Sequence, residues 1–144
     1  MENQNYKNHR RFIPLYHYFL SAFIMLILIG SFVNLYKSIG DHERIYSADL
    51  IVSISIVLMI SYFFMRGFAL RAQDRAIRAE ENFRHHLLTG KLLDKKLHVK
   101  QIVALRFASD EEFAELAKKA AETTMKPEEI KKAIKNWRGD YYRV

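Results

Sequence analysis

The chain of 144 residues has no cysteine, only two prolines and only five glycines. The absence of cysteine excludes disulfides and thiolate metal sites, and it is typical of proteins whose bulk lies in a reducing compartment. The glycines are scattered, so the chain has no glycine-rich phosphate loop and no Gly-x-Ser-x-Gly elbow. These absences remove the short motifs by which many enzymes are recognised from sequence.

Charged residues are missing from two long stretches of the chain. No Asp, Glu, Lys or Arg occurs from Phe12 to Tyr36 or from Leu50 to Met65. From Arg66 onward, by contrast, charged residues of both signs are frequent. The mean hydropathy of −0.15 therefore averages a membrane half with a water-soluble half.

Both apolar stretches are predicted to be transmembrane helices. Leu15–Tyr36 is long enough by itself, since about 20 residues are needed to cross the hydrocarbon core of a bilayer. The second stretch reaches that length if its helix extends from Tyr46 to Leu70. A cleaved signal peptide is the alternative for the first stretch, but the run is too long and no Ala-x-Ala-like site follows. Two core helices of a soluble protein would need a larger polar shell than this chain has.

The basic residues predict the orientation of the two spans. The segment before Leu15 carries three Lys or Arg and one Glu, whereas the connecting loop 37–49 carries two basic and three acidic residues. Four arginines follow between positions 66 and 78. Since basic loops stay inside, we expect a multi-pass protein of the bacterial inner membrane with both termini cytoplasmic.

Polar residues form one stripe on each span, which predicts the seam of the hairpin or a seam with another copy. Small and hydroxylated side chains let membrane helices approach closely. No ionisable group lies deeper than His17 or Asp49, so a transporter or channel is not expected. The seam residues are predicted to be His17, Ser21, Ser31, Ser53 and Ser61.

The second span is predicted to continue as one long helix into the cytoplasm and to end at Thr89-Gly90. Residues 71–84 contain no helix breaker and many helix formers. A basic stripe on this helix is expected to contact anionic lipids of the cytoplasmic leaflet or a partner. Its members are Arg66, Arg71, Arg75 and Arg78.

Three short amphipathic helices are predicted near residues 98–107, 110–123 and 127–138. Ser109 and Glu112 have the spacing of a capping box at the start of the second of these. Such a small domain is expected to lean on the juxtamembrane helix, the bilayer or another subunit. Its predicted core comprises Leu97, Ile102, Leu105, Phe107, Phe113, Leu116, Ile130, Ile134 and Trp137.

The last predicted helix carries a basic stripe that could lie along nucleic-acid phosphates, as in helix-turn-helix modules. The preceding turn lacks the glycine typical of those modules, and the helix before it begins with three acidic residues. A solvated or lipid-facing basic surface is the alternative. The stripe consists of Lys131, Lys132, Lys135 and Arg138.

The histidines do not form a metal-binding pattern. His85, His86 and His98 could converge only if the linker between them folded back, and a zinc site needs three or four converging ligands. We therefore expect no metal or other cofactor, no small-molecule substrate and no enzymatic activity.

Three stretches resemble a family of small bacterial membrane proteins known as a domain of unknown function, number 6526. They are residues 4–17, 101–113 and 129–138, and the resemblance extends over essentially the whole chain. It implies two spans and a helical cytoplasmic tail, and it brings no catalytic residues. Within it, residues 8–10 and 104–107 are expected to form functional surfaces.

The sequence thus predicts an all-α protein: a two-span transmembrane helical hairpin, a long second helix extending into the cytoplasm, and a small three-helix C-terminal domain. We expect a non-enzymatic accessory or scaffolding protein whose cytoplasmic helices bind a protein partner, as a homo-oligomer or as a subunit of a larger membrane complex. The alternative is a membrane-anchored module that contacts nucleic acid or the ribosome. The predicted segments are a cytoplasmic start 1–14, spans 15–36 and 50–70, an external loop 37–49, a juxtamembrane basic helix and linker 71–96, and a C-terminal domain 97–144.

Overall fold

A computed structural model of the chain describes residues 4–141, which contain five α-helices and no strand. The prediction of an all-helical chain is confirmed. A π-helical segment, Leu15–Leu20, continues directly into the first α-helix. The α-helices are α1 (Ser21–Lys37), α2 (Ile45–Thr89), α3 (Val99–Leu105), α4 (Asp110–Glu122) and α5 (Pro127–Ala133).

The chain divides into two units. One is the hairpin unit, Phe12–Phe68. The other, which we call the head, joins the residues up to Arg11 with the residues from Ala69 onward. The N-terminal segment therefore belongs structurally with the C-terminal helices, a long-range association that the sequence did not predict.

Two helices are long and apolar enough to cross a membrane. They are Leu15–Lys37, with 23 residues, and Ile45–Thr89, with 45 residues, and the most apolar window of each has a mean hydropathy of 2.1. Only 11% and 17% of these windows are buried. Their apolar side chains thus remain largely uncovered within the described chain.

The hairpin unit buries one face of each helix. On α1, Ile24 and Ser31 are buried, and on α2 the buried residues are Ala48, Val52 and Ser55. Small residues on α2 permit this close packing. Of the other seam residues predicted for the first span, His17 and Ser21 are half-buried.

Two residues predicted for the seam lie elsewhere. Ser53 and Ser61 are exposed on α2, so they do not lie on the buried face of the hairpin unit, and their place in a seam with another copy stays a prediction. Ala48 and Ser55 lie on the buried face instead. The helix is apolar on all sides, and only one of its faces packs against the neighbouring helix.

A reciprocal tyrosine pair joins the two helices of the hairpin unit. The ring centroids of Tyr16 and Tyr62 are 4.6 Å apart and the rings are stacked. The Tyr16 hydroxyl donates to the Tyr62 carbonyl at 2.7 Å, and the Tyr62 hydroxyl donates to the Tyr16 carbonyl at 3.3 Å. Each hydroxyl is thereby satisfied where the environment is otherwise apolar.

α2 ends where the sequence predicts. Thr89 is its last residue, and Gly90 adopts a φ of +74°, the left-handed conformation that commonly ends helices. The helix runs without a break from Ile45, so the expected continuation of the second apolar stretch as one long helix is confirmed.

The three short helices of the head surround the predicted core. Every predicted core residue belongs to it, with Trp137 partly buried at its edge. Leu93, Ala104, Ala108, Ala117, Ala120 and Ala121 complete it. Pro127 occupies the first turn of α5, as expected.

The last helix is shorter than predicted. α5 ends at Ala133, and Ile134 adopts an extended backbone, so the prediction of a helix reaching residue 138 is wrong. The Glu112 carboxylate accepts the backbone N–H groups of Lys135 and Asn136 at 3.1 and 3.0 Å. These bonds hold the chain extended. Both oxygens of Glu112 are engaged in these bonds. The predicted capping box between Ser109 and Glu112 is not formed, and Ser109 makes no side-chain cap bond.

The extended end pairs with the loop between α3 and α4. An isolated antiparallel bridge joins Ala108 to Trp137. In it, the Arg138 N–H donates to the Phe107 carbonyl at 2.7 Å, and the Ser109 N–H donates to the Asn136 carbonyl at 3.0 Å. The bridge places the Trp137 ring 5.0 Å from that of Phe107.

Candidate functional site

The N-terminal segment of the head clasps α5. The Tyr6 hydroxyl donates to Glu128 Oε2 at 2.9 Å, and Lys132 Nζ lies 5.6 Å from the centre of the Tyr6 ring. This hydrogen bond raises the pKa of Tyr6 and lowers the pKa of Glu128, because it stabilises the neutral phenol and the ionised carboxylate together. Lys131 lowers the pKa of Glu128 further.

His9 is the buried centre of this clasp, with 7% of its surface exposed. Its Nδ1 lies 2.7 Å from the Tyr6 carbonyl oxygen, and its Nε2 lies 3.1 Å from Lys131 Nζ. A carbonyl can only accept, so Nδ1 carries the proton and Nε2 accepts from the ammonium group. The ring also contacts Phe107 and Trp137, at centroid distances of 5.8 and 5.9 Å. His9 therefore links the start of the chain to the core of the head.

Two more contacts fasten the N-terminal segment to the end of the described chain. The Asp140 N–H donates to Gln4 Oε1 at 2.7 Å, and Arg11 Nη1 donates to the Tyr141 carbonyl at 3.3 Å. Asp140 also pairs with Arg106 at 3.0 Å. The two ends of the chain thus share one network around Asp140.

Arg84 attaches α2 to the helices of the head. Its Nε donates to Asp110 at 2.7 Å, its Nη1 to Glu81 at 2.9 Å and its Nη2 to the Ala108 carbonyl at 2.7 Å. The guanidinium also lies 4.2 Å above the centre of the Phe113 ring. A planar group with five fixed donors suits such a junction, which a lysine could not reproduce.

An open cleft of about 1110 Å³ lies between α2 and the C-terminal residues of the head. Four of its six charged residues form pairs: Arg106 pairs with Asp140 at 3.0 Å, and Arg138 approaches Glu81 at 3.9 Å. Positive and negative groups therefore balance in this cleft, which favours a structural role over the capture of an anion.

The C-terminal end of α2 carries an uncovered apolar surface. Phe83 and Leu87 are one helical turn apart, and their exposed fractions are 63% and 68%. Leu92, in the linker that follows α2, is 67% exposed. Single exposed apolar residues are common, but several together on a polar segment indicate a binding surface. We call Phe83, Leu87 and Leu92 the apolar face.

The predicted arginine stripe is exposed on α2. Arg71, Arg75 and Arg78 form no ion pair within the part of the chain that the structure describes. Arg66 is half-buried in the hairpin unit. The three exposed guanidinium groups are thus available to lipid phosphates or to acidic side chains.

The predicted nucleic-acid stripe is not a single helix face. Lys131 contacts His9 and Glu128, and Lys132 lies over Tyr6. The other two members, Lys135 and Arg138, follow the end of α5, and Arg138 lies near Glu81. The break in the helix at Ala133 separates the four residues, so the geometry of a recognition helix is not formed.

No metal centre emerges from residues 4–141, where the structure brings no three His, Asp or Glu side chains together. His85 Nδ1 instead lies 2.7 Å from the Lys91 carbonyl, just after the end of α2.

Sequence reasoning missed the residues that assemble the head. His9, Arg84 and Glu112 act over separations of 122, 24 and 23 residues to their partners. The resemblance offered one clue, since the stretches 8–10 and 104–107 are those that bring His9 against Phe107. No periodicity in the sequence marks such contacts.

The fold and its surfaces define an all-helical protein with two helices of membrane-spanning length and a small helical head. The chain belongs to the family of unknown function DUF6526, whose model matches residues 1–144. No curated protein and no solved structure matches it.

Proposed function

We propose that the protein is a non-enzymatic accessory or scaffolding protein of the bacterial inner membrane, anchored by two spans, whose cytoplasmic α2 binds a protein partner. The observation that carries this proposal is the apolar face: Phe83 and Leu87 are exposed on a charged part of α2, and Leu92 is exposed in the linker that follows. Such a face is stabilised when another protein covers it.

The proposed topology draws support from the composition of the head. Residues up to Arg11 and residues from Ala69 onward form one unit, so both must lie on the same side of any membrane that the chain crosses. Two crossings satisfy this condition, and one does not. The basic residues at both ends favour the cytoplasmic side.

Lipid contact is a second element of the proposal. Arg71, Arg75 and Arg78 are exposed and follow the apolar part of α2 closely along the helix. Each basic residue near an anionic leaflet contributes about 1 kcal/mol to binding. We propose that this stripe fixes the height and rotation of α2 at the cytoplasmic surface.

The polar groups of the head support a non-enzymatic role. Arg84, Glu81, Asp110 and Glu112 are engaged in bonds that hold helices and backbone together. These contacts within the head account for the positions of the four side chains.

At the end of α2, Thr89 Oγ1 lies 3.2 Å from His85 Nδ1, the spacing of a nucleophile and a base. However, the Thr89 hydroxyl donates to the His85 carbonyl at 2.7 Å, and His85 Nδ1 lies 2.7 Å from the Lys91 carbonyl. Both groups are thus engaged in ending the helix.

Purification in mild detergent at native abundance, followed by mass spectrometry, tests the proposal. We expect the wild-type protein to retain a partner or a second copy, and Phe83→Glu/Leu87→Glu to lose it. Lys118→Glu/Lys119→Glu, on α4, serves as a matched control that also changes two side chains of the head. A wild-type protein that runs as a clean monomer without any partner contradicts the proposal.

A further inference from the structure

We propose that the partner of the apolar face is a second copy of this chain, aligned in parallel along α2 from Ala69 to Leu87. The inference rests on the proposed membrane-anchored function and specifies its partner. Its geometry comes from three features of α2: the spacing of its exposed residues, their position relative to the rest of the head, and the charges beside them.

The exposed residues repeat with the spacing of a coiled-coil seam. Counting from Ala69, small or apolar residues recur at alternating steps of three and four as far as Phe83. This is the pattern of a and d positions in a heptad repeat. The dimer seam comprises Ala69, Ala72, Ala76, Ala79 and Phe83.

The helices of the head pack on another side of α2. Ile77 and Glu81 are buried, with exposed fractions of 6% and 5%, and Arg84 joins the same contact. At about 100° per residue these positions lie roughly opposite Ala79 and Phe83 on the helix. Ala79 and Phe83 are thereby left open to another helix, whereas Ala69, Ala72 and Ala76 face the open cleft of the head.

The first part of the dimer seam borders the open cleft. Ala69, Ala72 and Ala76 line this cleft along α2, and Ala72 and Ala76 are exposed. A second α2 lying along the seam would therefore also cover one side of the cleft.

The charges beside the seam complement a parallel copy. Arg75 takes the g position and Glu80 the following e position, so each Arg75 would face Glu80 of the other copy in a parallel pair. Arg75 and Glu80 are both exposed, and neither forms an ion pair within residues 4–141. Two symmetric ion pairs would therefore flank Ala79 and its counterpart.

Insertion in the same membrane would align the α2 helices of the two copies. Two copies with the same topology emerge from the bilayer with α2 in the same direction and at the same height, which excludes an antiparallel pair. The exposed large side chains Phe83 and Leu87 supply apolar area, and the four alanines permit close approach of the helices.

Disulfide trapping in native membranes tests the inference directly, because the chain has no cysteine of its own. Ala79→Cys and Phe83→Cys are expected to form a covalent dimer with a mild oxidant. Leu88→Cys is the matched control, since it is exposed on the same helix but points away from the seam. Trapping at position 88 as efficient as at position 79 would overturn the proposal.

Charge reversal then tests whether Arg75 pairs with Glu80 of the other copy or whether the two helices are only close to each other. In the Ala79→Cys background, Arg75→Glu alone and Glu80→Arg alone are each expected to reduce the trapped dimer several-fold, because like charges would then face each other. The double reversal is expected to restore it. A double variant no better than the singles contradicts the pairing.

The outcome also distinguishes this inference from the proposed function. If no seam position forms a dimer while detergent purification still recovers a different protein lost on Phe83→Glu/Leu87→Glu, the inference fails and the proposed function stands. If neither experiment finds an associated protein, both fail.

Discussion

At the scale of single residues, the head depends on a few charged side chains with several partners each. Arg84 is the clearest case, because its three guanidinium nitrogens reach Glu81, Asp110 and the Ala108 carbonyl. The Glu81 side chain is only 7% exposed. A buried carboxylate depends on its cation, since without one the cost of removing it from water is uncompensated.

Arg84→Ala is therefore expected to lower the free energy of unfolding of the head by about 3–5 kcal/mol. Trp137 is the only tryptophan of the chain and packs on the core, so its fluorescence during denaturant unfolding reports this change. Arg75→Ala, at an exposed position, should change stability by no more than about 0.5 kcal/mol. Equal effects of the two substitutions would show that the Arg84 junction does not stabilise the head.

The Tyr6–Glu128 hydrogen bond makes the clasp sensitive to pH at both extremes. The pKa of Glu128 lies below its ordinary value of 4.5, so its contribution is present above pH 4.5 and is lost as pH falls through the lowered value. The pKa of Tyr6 lies above 10.0, so its contribution is present below pH 10.0 and is lost as pH rises through the raised value.

We expect Trp137 fluorescence, which senses His9 beside it, to change at both ends of the pH range. Tyr6→Phe should remove the part of both changes that comes from this bond, and Glu128→Gln should remove the acid part. A wild-type curve superimposable on that of Tyr6→Phe would mean that the bond does not hold the clasp.

At the scale of helices, the sequence predicts amphipathic elements well and uniform ones poorly. The core of the head follows from periodicity, because Phe113, Leu116 and Ile130 stand out against polar neighbours. The seam of the hairpin unit does not follow in the same way. α2 is apolar on all sides there, so Ser53 and Ser55 look alike in sequence and only packing buries Ser55.

The end of α5 shows a second limit on what local sequence predicts. Residues 134–138 continue an amphipathic pattern, yet Glu112, on the preceding helix, draws their backbone into an extended form. These bonds stabilise an extended backbone in place of a helix. Because Glu112 is more than twenty residues away in sequence, the local helix propensity of residues 134–138 cannot predict them.

The buried and exposed serines of α2 provide a matched pair. Ser55→Leu is expected to destabilise the hairpin unit by roughly 1–3 kcal/mol, because a larger side chain overfills a closely packed seam. Ser53→Leu, on an exposed face, is expected to be close to neutral. Unfolding in a titration with a denaturing detergent measures both, and a larger loss at position 53 would place the seam on the wrong face.

At the scale of the whole molecule, the proposed function depends on the topology. The association of the N-terminal segment with the C-terminal helices was not predictable, because Gln4, Tyr6 and His9 have partners between 122 and 136 residues away. It nevertheless agrees with the basic residues in requiring both ends on one side. In the proposed two-span topology, the short connection between α1 and α2 would lie alone on the other side.

Single-cysteine labelling in intact cells tests this arrangement. Glu43→Cys, in the connection, is expected to react with a membrane-impermeant maleimide, whereas Lys95→Cys, in the head, should react only after lysis. Both positions are exposed, so accessibility is matched. Labelling of Lys95→Cys in sealed cells would reverse the orientation.

The proposed function centres on a membrane-anchored α2 that presents its apolar face to another protein. The most direct measurement is photo-crosslinking in living cells with a benzophenone amino acid at position 83, compared with position 118 on α4. We predict a discrete adduct of one recurring mass at position 83 and none at position 118. A protein that remains uncrosslinked at position 83, or that forms the same adducts at both positions, would contradict this.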